Sequence, residues 1–250
     1  MVLVAPTGVH TLDMERLRQA LGGRLQEQVA LARFTAARVG GPADALVEVT
    51  TSEELVQTVQ ILWKMDAPFI IIGGGSNVLV SDAGVRQVVL INRSRLAAGF
   101  RFDDNAQRPT VWAEAGVNFG ALARQAAQRG LAGLEWAAGI PGTVGGAVVG
   151  NAGAHGSDIA GCLVVAEILH RQGQEIWPVE KFAYSYRNSV IKRGAGDAIV
   201  LNATLRLEHS TPQAVQERID IYVAHRRQTQ PQGPAWALCS KTHRAIMLAG

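Results

Sequence analysis

Apolar positions along the chain follow two periods, and the changes from one to the other mark its elements. Leu12, Leu17, Leu21 and Leu25 fall near helical spacing, interrupted by Gly22-Gly23, which predicts a helical lead-in over residues 1–33. A strand over 45–49 sets Leu46 against Glu48, and a helix follows from Ser52. Thr51 and Glu54 suit a capping box, whose side chains satisfy free backbone N–H groups of the first turn. Leu55, Val59 and Leu62 form the apolar face of this helix, and Pro68 stops it. Residues 69–72 read as a buried strand that runs directly into Gly73-Gly74-Gly75-Ser76-Asn77, and another strand covers 87–92.

A second unit begins near residue 100. It has a strand over 110–115, a helix over 118–129 closed by Gly130, and a hairpin of 163–169 with 175–179 across Arg171-Gln172-Gly173. Residues 198–207 place Ile199, Leu201, Ala203, Leu205 and Leu207 on one face, the pattern of a half-buried strand. A last helix is predicted over 212–227, capped by Thr211, with Val215, Ile219 and Val223 inward. These breaks divide the chain into a lead-in (1–33), a first unit (34–99), a second (100–209) and the start of a third (210–250).

Composition narrows the class. With 48% hydrophobic and 18% charged residues over 250 positions, the chain can bury a core and is not intrinsically disordered. A net charge of +3, spread along the chain, gives no nucleic-acid signal. Cys162 and Cys239 make neither a disulfide scaffold nor a metal cage. The first residues lack a signal-peptide pattern, and no apolar run approaches the roughly 20 residues of a membrane helix. A soluble, cytoplasmic protein is expected. The six histidines show no metal-ligand spacing, and P-loop and nucleophile-elbow motifs are absent, so no metal is expected.

Glycine carries the chemistry. Residues 139–156 hold seven glycines in 18 positions. A single glycine usually means turn chemistry, but three in a row after a buried strand let backbone N–H groups converge on an anion such as a pyrophosphate. The dinucleotide fingerprint would need glycine where Val78 stands, so a Rossmann reading is weak. The second glycine-rich stretch is apolar and suits a flat ring pressed on the backbone. Two such stretches about 65 residues apart suggest a large dinucleotide cofactor held between two subdomains. Tyr184-Ser185-Tyr186-Arg187-Asn188-Ser189 reads either as an ordinary polar loop or as an anion clamp built on a guanidinium.

Four stretches together resemble one family. Arg38-Val39-Gly40-Gly41-Pro42-Ala43-Asp44, GGGSNVLVSDAGVRQVVLIN from Gly73, AGIPGTVGGAVVGNAGAHG from Ala138 and YSYRNSVIK from Tyr184 are similar, in order and spacing, to the UDP-N-acetylenolpyruvoylglucosamine reductases (UDP-N-acetylmuramate dehydrogenases). The likeness runs from Phe34 to Pro231. It implies an α+β fold in which subdomains 34–99 and 100–209 grip FAD, of the vanillyl-alcohol-oxidase (PCMH) type, before a third, substrate domain. It also implies a cytoplasmic oxidoreductase of peptidoglycan precursor synthesis. There NADPH reduces FAD, and a hydride passes to the vinyl ether of UDP-N-acetylglucosamine enolpyruvate, giving UDP-N-acetylmuramate. A monomer without nucleic-acid or membrane partners is expected.

Carried over by position, Gly73, Gly74, Gly75, Ser76, Asn77, Val78 and Leu79 would cradle the FAD phosphates. Ile140, Pro141, Gly142, Gly145, Gly146, Ala147, Gly150, Asn151, Ala152, Ala154 and Gly156 would line the rest of the cofactor, with Arg38 and the Gly40-Gly41 turn in support. Arg187 would stabilise the enolate, a charge placed where charge develops. Tyr186, Ser189 and Lys192 would contact substrate, and His155 stands where the family often has tyrosine.

The tail departs from the family. After Arg226-Arg227-Gln228-Thr229-Gln230-Pro231 the family's proton-donor serine motif and terminal glutamate are missing, and Ser240 is no substitute. Residues 235–250, back-translated with permitted codons and read one base out of frame, give L-G-S-M-F-K-N-P-P-G-D-Y-A-G, which contains that motif. A single-base shift near residue 234, and a substrate domain largely missing, are therefore expected. On that expectation a flavin-binding remnant with negligible turnover is a second reading. A nucleotide-sugar binding module without redox role is a third, and it alone predicts a colourless protein.

Overall fold

Helix α2 (Ser52–Lys64) organises the molecule, because two sheets bury their faces on it. The fold comes from a computed structural model that describes residues 12–95, 99–105, 107–194 and 197–229. The tail expected to be out of frame and the first residues of the lead-in lie outside the described residues. In chain order, α1 (Met14–Leu21), β1 (Gln26–Ala30), β2 (Pro42–Val49), α2, β3 (Phe69–Ile72) and β4 (Val85–Asn92) build the first subdomain. Its sheet runs β1-β2-β4-β3, with β1 antiparallel to β2 and the other pairs parallel. The expected helical lead-in is thus corrected: helix ends at Leu21, and 26–30 is an edge strand of this sheet.

The second subdomain follows with β5 (Phe100–Asp103), β6 (Thr110–Glu114), α3 (Phe119–Gln128), β7 (Leu131–Ala132), α4 (Val144–Gly150), β8 (Gly153–Ala154), β9 (Ser157–Asp158), α5 (Ile159–Cys162), β10 (Leu163–His170), β11 (Gly173–Pro178), β12 (Ile199–Arg206) and β13 (Glu208–His209). Its antiparallel sheet runs β11-β10-β12-β6-β5. Helices α3, α4 and the final α6 (Pro212–Thr229) cover one face, around Phe119, Leu122, Val144 and Phe182. The other face sends Leu169 and Leu201 onto α2, beside Leu55, Val59 and Leu62.

That second contact corrects the reading of β12 as half-buried. Val200, Leu201, Asn202 and Ala203 are all buried, because the strand is central and covered on both sides. The seam also holds a buried carboxylate. Glu114 Oε1 accepts from Ser52 N at 3.2 Å and Ser52 Oγ at 2.7 Å, placing negative charge at the start of α2. Thr51 Oγ1 caps the same helix by accepting from Glu54 N at 3.0 Å. The Glu54 carboxylate reaches one residue beyond the box, to the backbone N–H and hydroxyl of Thr50, and these bonds hold it below the usual carboxylate range.

Candidate functional site

The two glycine-rich stretches meet. The chain leaves β3 at Ile72, and Gly73 passes so close to Thr143 that a Cβ there would collide with the threonine hydroxyl. A Cβ on Gly74 would lie 3.2 Å from Cα of Gly142. Gly75 has φ +62° and lies against the Phe34 carbonyl, while Ala36 N donates to Gly75 O at 3.0 Å. The 34–41 turn, with Arg38 at φ +54°, thereby buttresses the first stretch. Gly74, Asn77 and Leu79 are exposed, Ser76 and Val78 half-buried.

Within the second stretch the structure forms a helix where the sequence suggested only a glycine-lined wall. Thr143 Oγ1 caps α4 by accepting from Gly146 N at 3.4 Å. The inner face of α4 packs on the sheet: Gly145 N donates to Ala115 O at 2.9 Å, and a Cβ on Gly145 would sit 2.8 Å from the Ala115 methyl. Ala147 is buried on that face. Gly145 and Ala147, expected to line a cofactor, therefore serve packing. The open positions are others. A Cβ on Gly150 would meet nothing within 4 Å, one on Gly146 only Thr143 Oγ1 at 3.5 Å, and one on Gly142 only Ser76 Oγ at 3.8 Å. Gly146 and Gly150, one helical turn apart, present bare backbone on one side of α4. Pro141 is exposed at the rim; Ile140, Ala152 and Ala154 pack partly on the core, and Gly156 is exposed at the β8–β9 turn.

The arginine turn is fastened to this wall. Tyr184 Oη donates to Val148 O at 2.8 Å, and Ser189 Oγ donates to Val149 O at 2.6 Å. Ser189 is fully buried, and its hydroxyl also accepts from Lys192 N at 3.1 Å. Asn151 is buried too, with every polar atom of its amide bonded inside the protein. Asn151 and Ser189, expected at the cofactor and the substrate, thus have their side-chain hydrogen bonds made inside the protein. Tyr186, by contrast, is 83% exposed, with the Arg187 guanidinium 5.8 Å from its ring centroid.

Positive charge gathers here. Lys192 Nζ donates to Arg187 O at 2.6 Å. Arg226, on α6, lies over Gly139, where a Cβ would stand 3.1 Å from its Cδ. Burial first, and Arg187 second, push both Lys192 and Arg226 below their ordinary values. Among the described residues Arg187, Lys192 and Arg226 form no ion pair. His155 stacks on Tyr222 at 4.2 Å, with His225 edge-on at 5.3 Å, docking α6 on the β8–β9 hairpin. Sequence reasoning missed Arg226 as a member of the site; its signal is the Arg226-Arg227 pair in the last turn of the final helix. Among the described residues no cluster of His, Cys, Asp or Glu could hold a metal, and no helix is long and apolar enough to cross a membrane.

A wall of bare backbone, a glycine turn against it and unpaired cations beside both fit a flat, anionic cofactor. The family model of the FAD binding domain matches residues 43–177. The UDP-N-acetylenolpyruvoylglucosamine reductase of Chloroflexus aggregans is 37% identical over 223 residues, covering 87% of this chain and 73% of that protein. That of Bacillus subtilis is 36% identical over 220 residues, covering 87% and 70%. The chain belongs to the UDP-N-acetylenolpyruvoylglucosamine reductase family. A crystal structure of the Thermus caldophilus reductase superposes with TM-score 0.69 at 32% identity, over 84% of this chain and 72% of that one. A solvent-stable cholesterol oxidase, at 16% identity and TM-score 0.58, shares the fold alone. The α+β, PCMH-type architecture of this reductase family member is therefore that of an FAD-binding oxidoreductase.

Proposed function

We propose that the chain holds FAD between its two glycine-rich stretches and uses it to reduce UDP-N-acetylglucosamine enolpyruvate to UDP-N-acetylmuramate. The single observation that carries this reading is the meeting of Gly73 and Gly74 with Gly142 and Thr143, next to the turn that bears Arg187. Residues 73–79 would hold the phosphates, and the open side of α4 at Gly142, Gly146 and Gly150 would hold the ring. Bound there, FAD would supply the chemistry: two electrons accepted from NADPH and delivered as a hydride to the vinyl ether.

The protein's own groups do the rest. Hydride addition to the terminal carbon of the vinyl ether leaves an enolate whose negative charge spreads onto the enolpyruvyl carboxylate, Arg187 supplies a fixed positive charge for it, and a proton taken from solvent at the neighbouring carbon completes the reduction. A guanidinium keeps that charge at any working pH and can grip a carboxylate through two N–H groups. Lys192 holds the backbone carbonyl of Arg187, so its ammonium steadies the arginine and adds to the positive field. Tyr186, exposed beside Arg187, offers a ring to cover the substrate. The same reading makes the chain a cytoplasmic monomer in peptidoglycan precursor synthesis, without nucleic-acid or membrane partners.

The test is optical and then kinetic. Purified protein is expected to be yellow or to quench added FAD, and to oxidise NADPH only when UDP-N-acetylglucosamine enolpyruvate is present. A colourless protein that takes up no FAD on titration refutes the reading.

A further inference from the structure

Arg187 sits in the left-handed backbone region, at φ +55°, in a turn closed by Ser185 N on Asn188 O at 3.1 Å and Asn188 N on Ser185 O at 3.0 Å. That region brings the Cβ of a side-chain-bearing residue too close to the following carbonyl oxygen. Such a conformation persists only where the surroundings over-determine it. Two tethers reach the turn from outside it. One is Lys192 Nζ on Arg187 O. The other comes from the glycine-rich stretch: Asn151 Nδ2 donates to Ser185 O at 3.1 Å.

Asn151 is placed to do this by its own backbone. It ends α4 in the left-handed conformation, φ 43° and ψ 59°, which asparagine tolerates better than most residues. Its second amide hydrogen goes to Asp158 Oδ2 at 3.1 Å, and its Oδ1 accepts from Ala160 N at 3.0 Å. Asp158 is held in turn, because its Oδ1 accepts from Gly161 N at 3.1 Å as the cap of α5. The amide is therefore fixed in orientation by two partners on the hairpin side and has one hydrogen left, aimed at the arginine turn.

We propose that Asn151 is a positioning residue that locks the Arg187 turn to the wall formed by α4, so that the guanidinium keeps a fixed place relative to the bound cofactor. The role goes beyond holding cofactor, although its catalytic meaning rests on the FAD reading above. It is specific to the carboxamide. Aspartate of the same shape has no hydrogen to offer Ser185 O, and would set an oxygen against an oxygen.

The reversed pair N151D/D158N separates this lock from stability. It keeps one carboxylate and one amide at the hairpin, so the mutual bond and the caps at Ala160 and Gly161 survive, but Ser185 O loses the donor that reaches it from α4 and keeps only Asn188 N within its own turn. Limited trypsin digestion of the whole chain, read by mass spectrometry, reports the turn directly through cleavage at Arg187–Asn188. Cleavage at Arg171–Gln172, in the distant β10–β11 turn, is the reference.

We expect the reversed pair to melt as one transition and to be cut after Arg187 at least tenfold faster than the parent, with the Arg171 cut unchanged. Lys192→Met, which removes the other tether, is expected to give the same selective acceleration if the reversed pair does not fold. An unchanged Arg187 rate, or equal acceleration at both sites, overturns the proposal. This readout needs no flavin, so its failure is distinct from a failure to bind FAD. In the FAD-loaded protein the reversed pair is expected to keep its flavin affinity within about threefold while kcat falls more than KM changes. A matching loss of flavin binding would show that Asn151 serves the cofactor pocket instead.

Discussion

Gly146→Ala changes one methyl group on the open side of α4, and its two effects should have opposite signs. Within the protein alone the methyl is free of strain, since its one neighbour would be Thr143 Oγ1 at 3.5 Å, an ordinary contact. Replacing glycine inside a helix by alanine then stabilises by about 0.5–1 kcal/mol, through helix propensity and a less disordered unfolded chain. For a chain of this size that raises the melting temperature by about 1–4 °C. With FAD seated on bare backbone the same methyl enters ligand volume. Overpacking of this kind costs about 1–3 kcal/mol, which lowers affinity by roughly 5- to 150-fold. Differential scanning fluorimetry of the flavin-free protein reads the first effect, and quenching of FAD fluorescence on titration reads the second. A raised melting temperature with unaltered FAD affinity would refute the assignment of α4 as the cofactor wall.

Gly75→Ala should do the reverse and act on the fold: φ +62° and the Phe34 carbonyl leave no place for a methyl, so a loss of about 2–4 kcal/mol is expected in urea unfolding. Glu114→Ala leaves the Ser52 N–H and hydroxyl without their buried acceptor and should cost about 1–3 kcal/mol, whereas Glu114→Gln, which keeps an acceptor oxygen, should cost less. Burial pushes the Cys162 thiol up to about 12, so its peptide should stay unlabelled by iodoacetamide at pH 8 until denaturant is added. Burial, then His225 and Arg226, hold His155 below its ordinary 6.5. Its neutral form therefore favours the fold, and that contribution is complete above pH 6.5 and lost as pH falls. His155→Phe, which keeps a ring on Tyr222, should flatten the acid limb of a melting-temperature profile.

The helical and alternating stretches were legible where burial followed the period, as in α2, α3, β3 and α6, whereas β11, mostly exposed, was marked by the Arg171-Gln172-Gly173 turn that pairs it with β10. The failures have physical causes. Strand β1, Gln-Glu-Gln-Val-Ala, is mostly exposed, so no apolar alternation marks it; it is a strand because its backbone pairs with β2. Helix α4 carries three glycines in seven residues, the poorest composition for a helix, and packing of Gly145 against Ala115 overrides propensity. The buried second face of β12 depends on α2, which arrives from the other subdomain. At the site, the glycine stretches announced themselves by composition. The direction of a polar side chain did not: Asn151 and Ser189 have the chemistry of ligand contacts, and only the fold shows that their hydrogen bonds are used up inside.

The unpaired cations give the electrostatic side of the same conclusion. Arg187, Lys192 and Arg226 come from two separate segments, and burial first, then the charge of Arg187, already push Lys192 and Arg226 below their ordinary values. A fold selected for stability alone would answer such a cluster with a carboxylate, as it does at Arg218, which pairs with the buried Glu135 at 3.1 Å, and at Arg171, which pairs with Asp197 at 2.5 Å. Solvent alone does not account for the exception, because Arg226 is half-buried over Gly139 and Lys192 is anchored to a backbone carbonyl. Gly139 even makes room for the arginine, since a larger residue would displace it. Among the described residues no carboxylate balances the cluster, and the FAD and substrate reading proposed above assigns that task to a bound anion. UDP-N-acetylglucosamine enolpyruvate carries both a diphosphate and a carboxylate, and FAD carries a diphosphate. On that reading the repulsion among these cations would become a source of affinity on binding, because charges that oppose one another would already be gathered where the ligand's charge arrives.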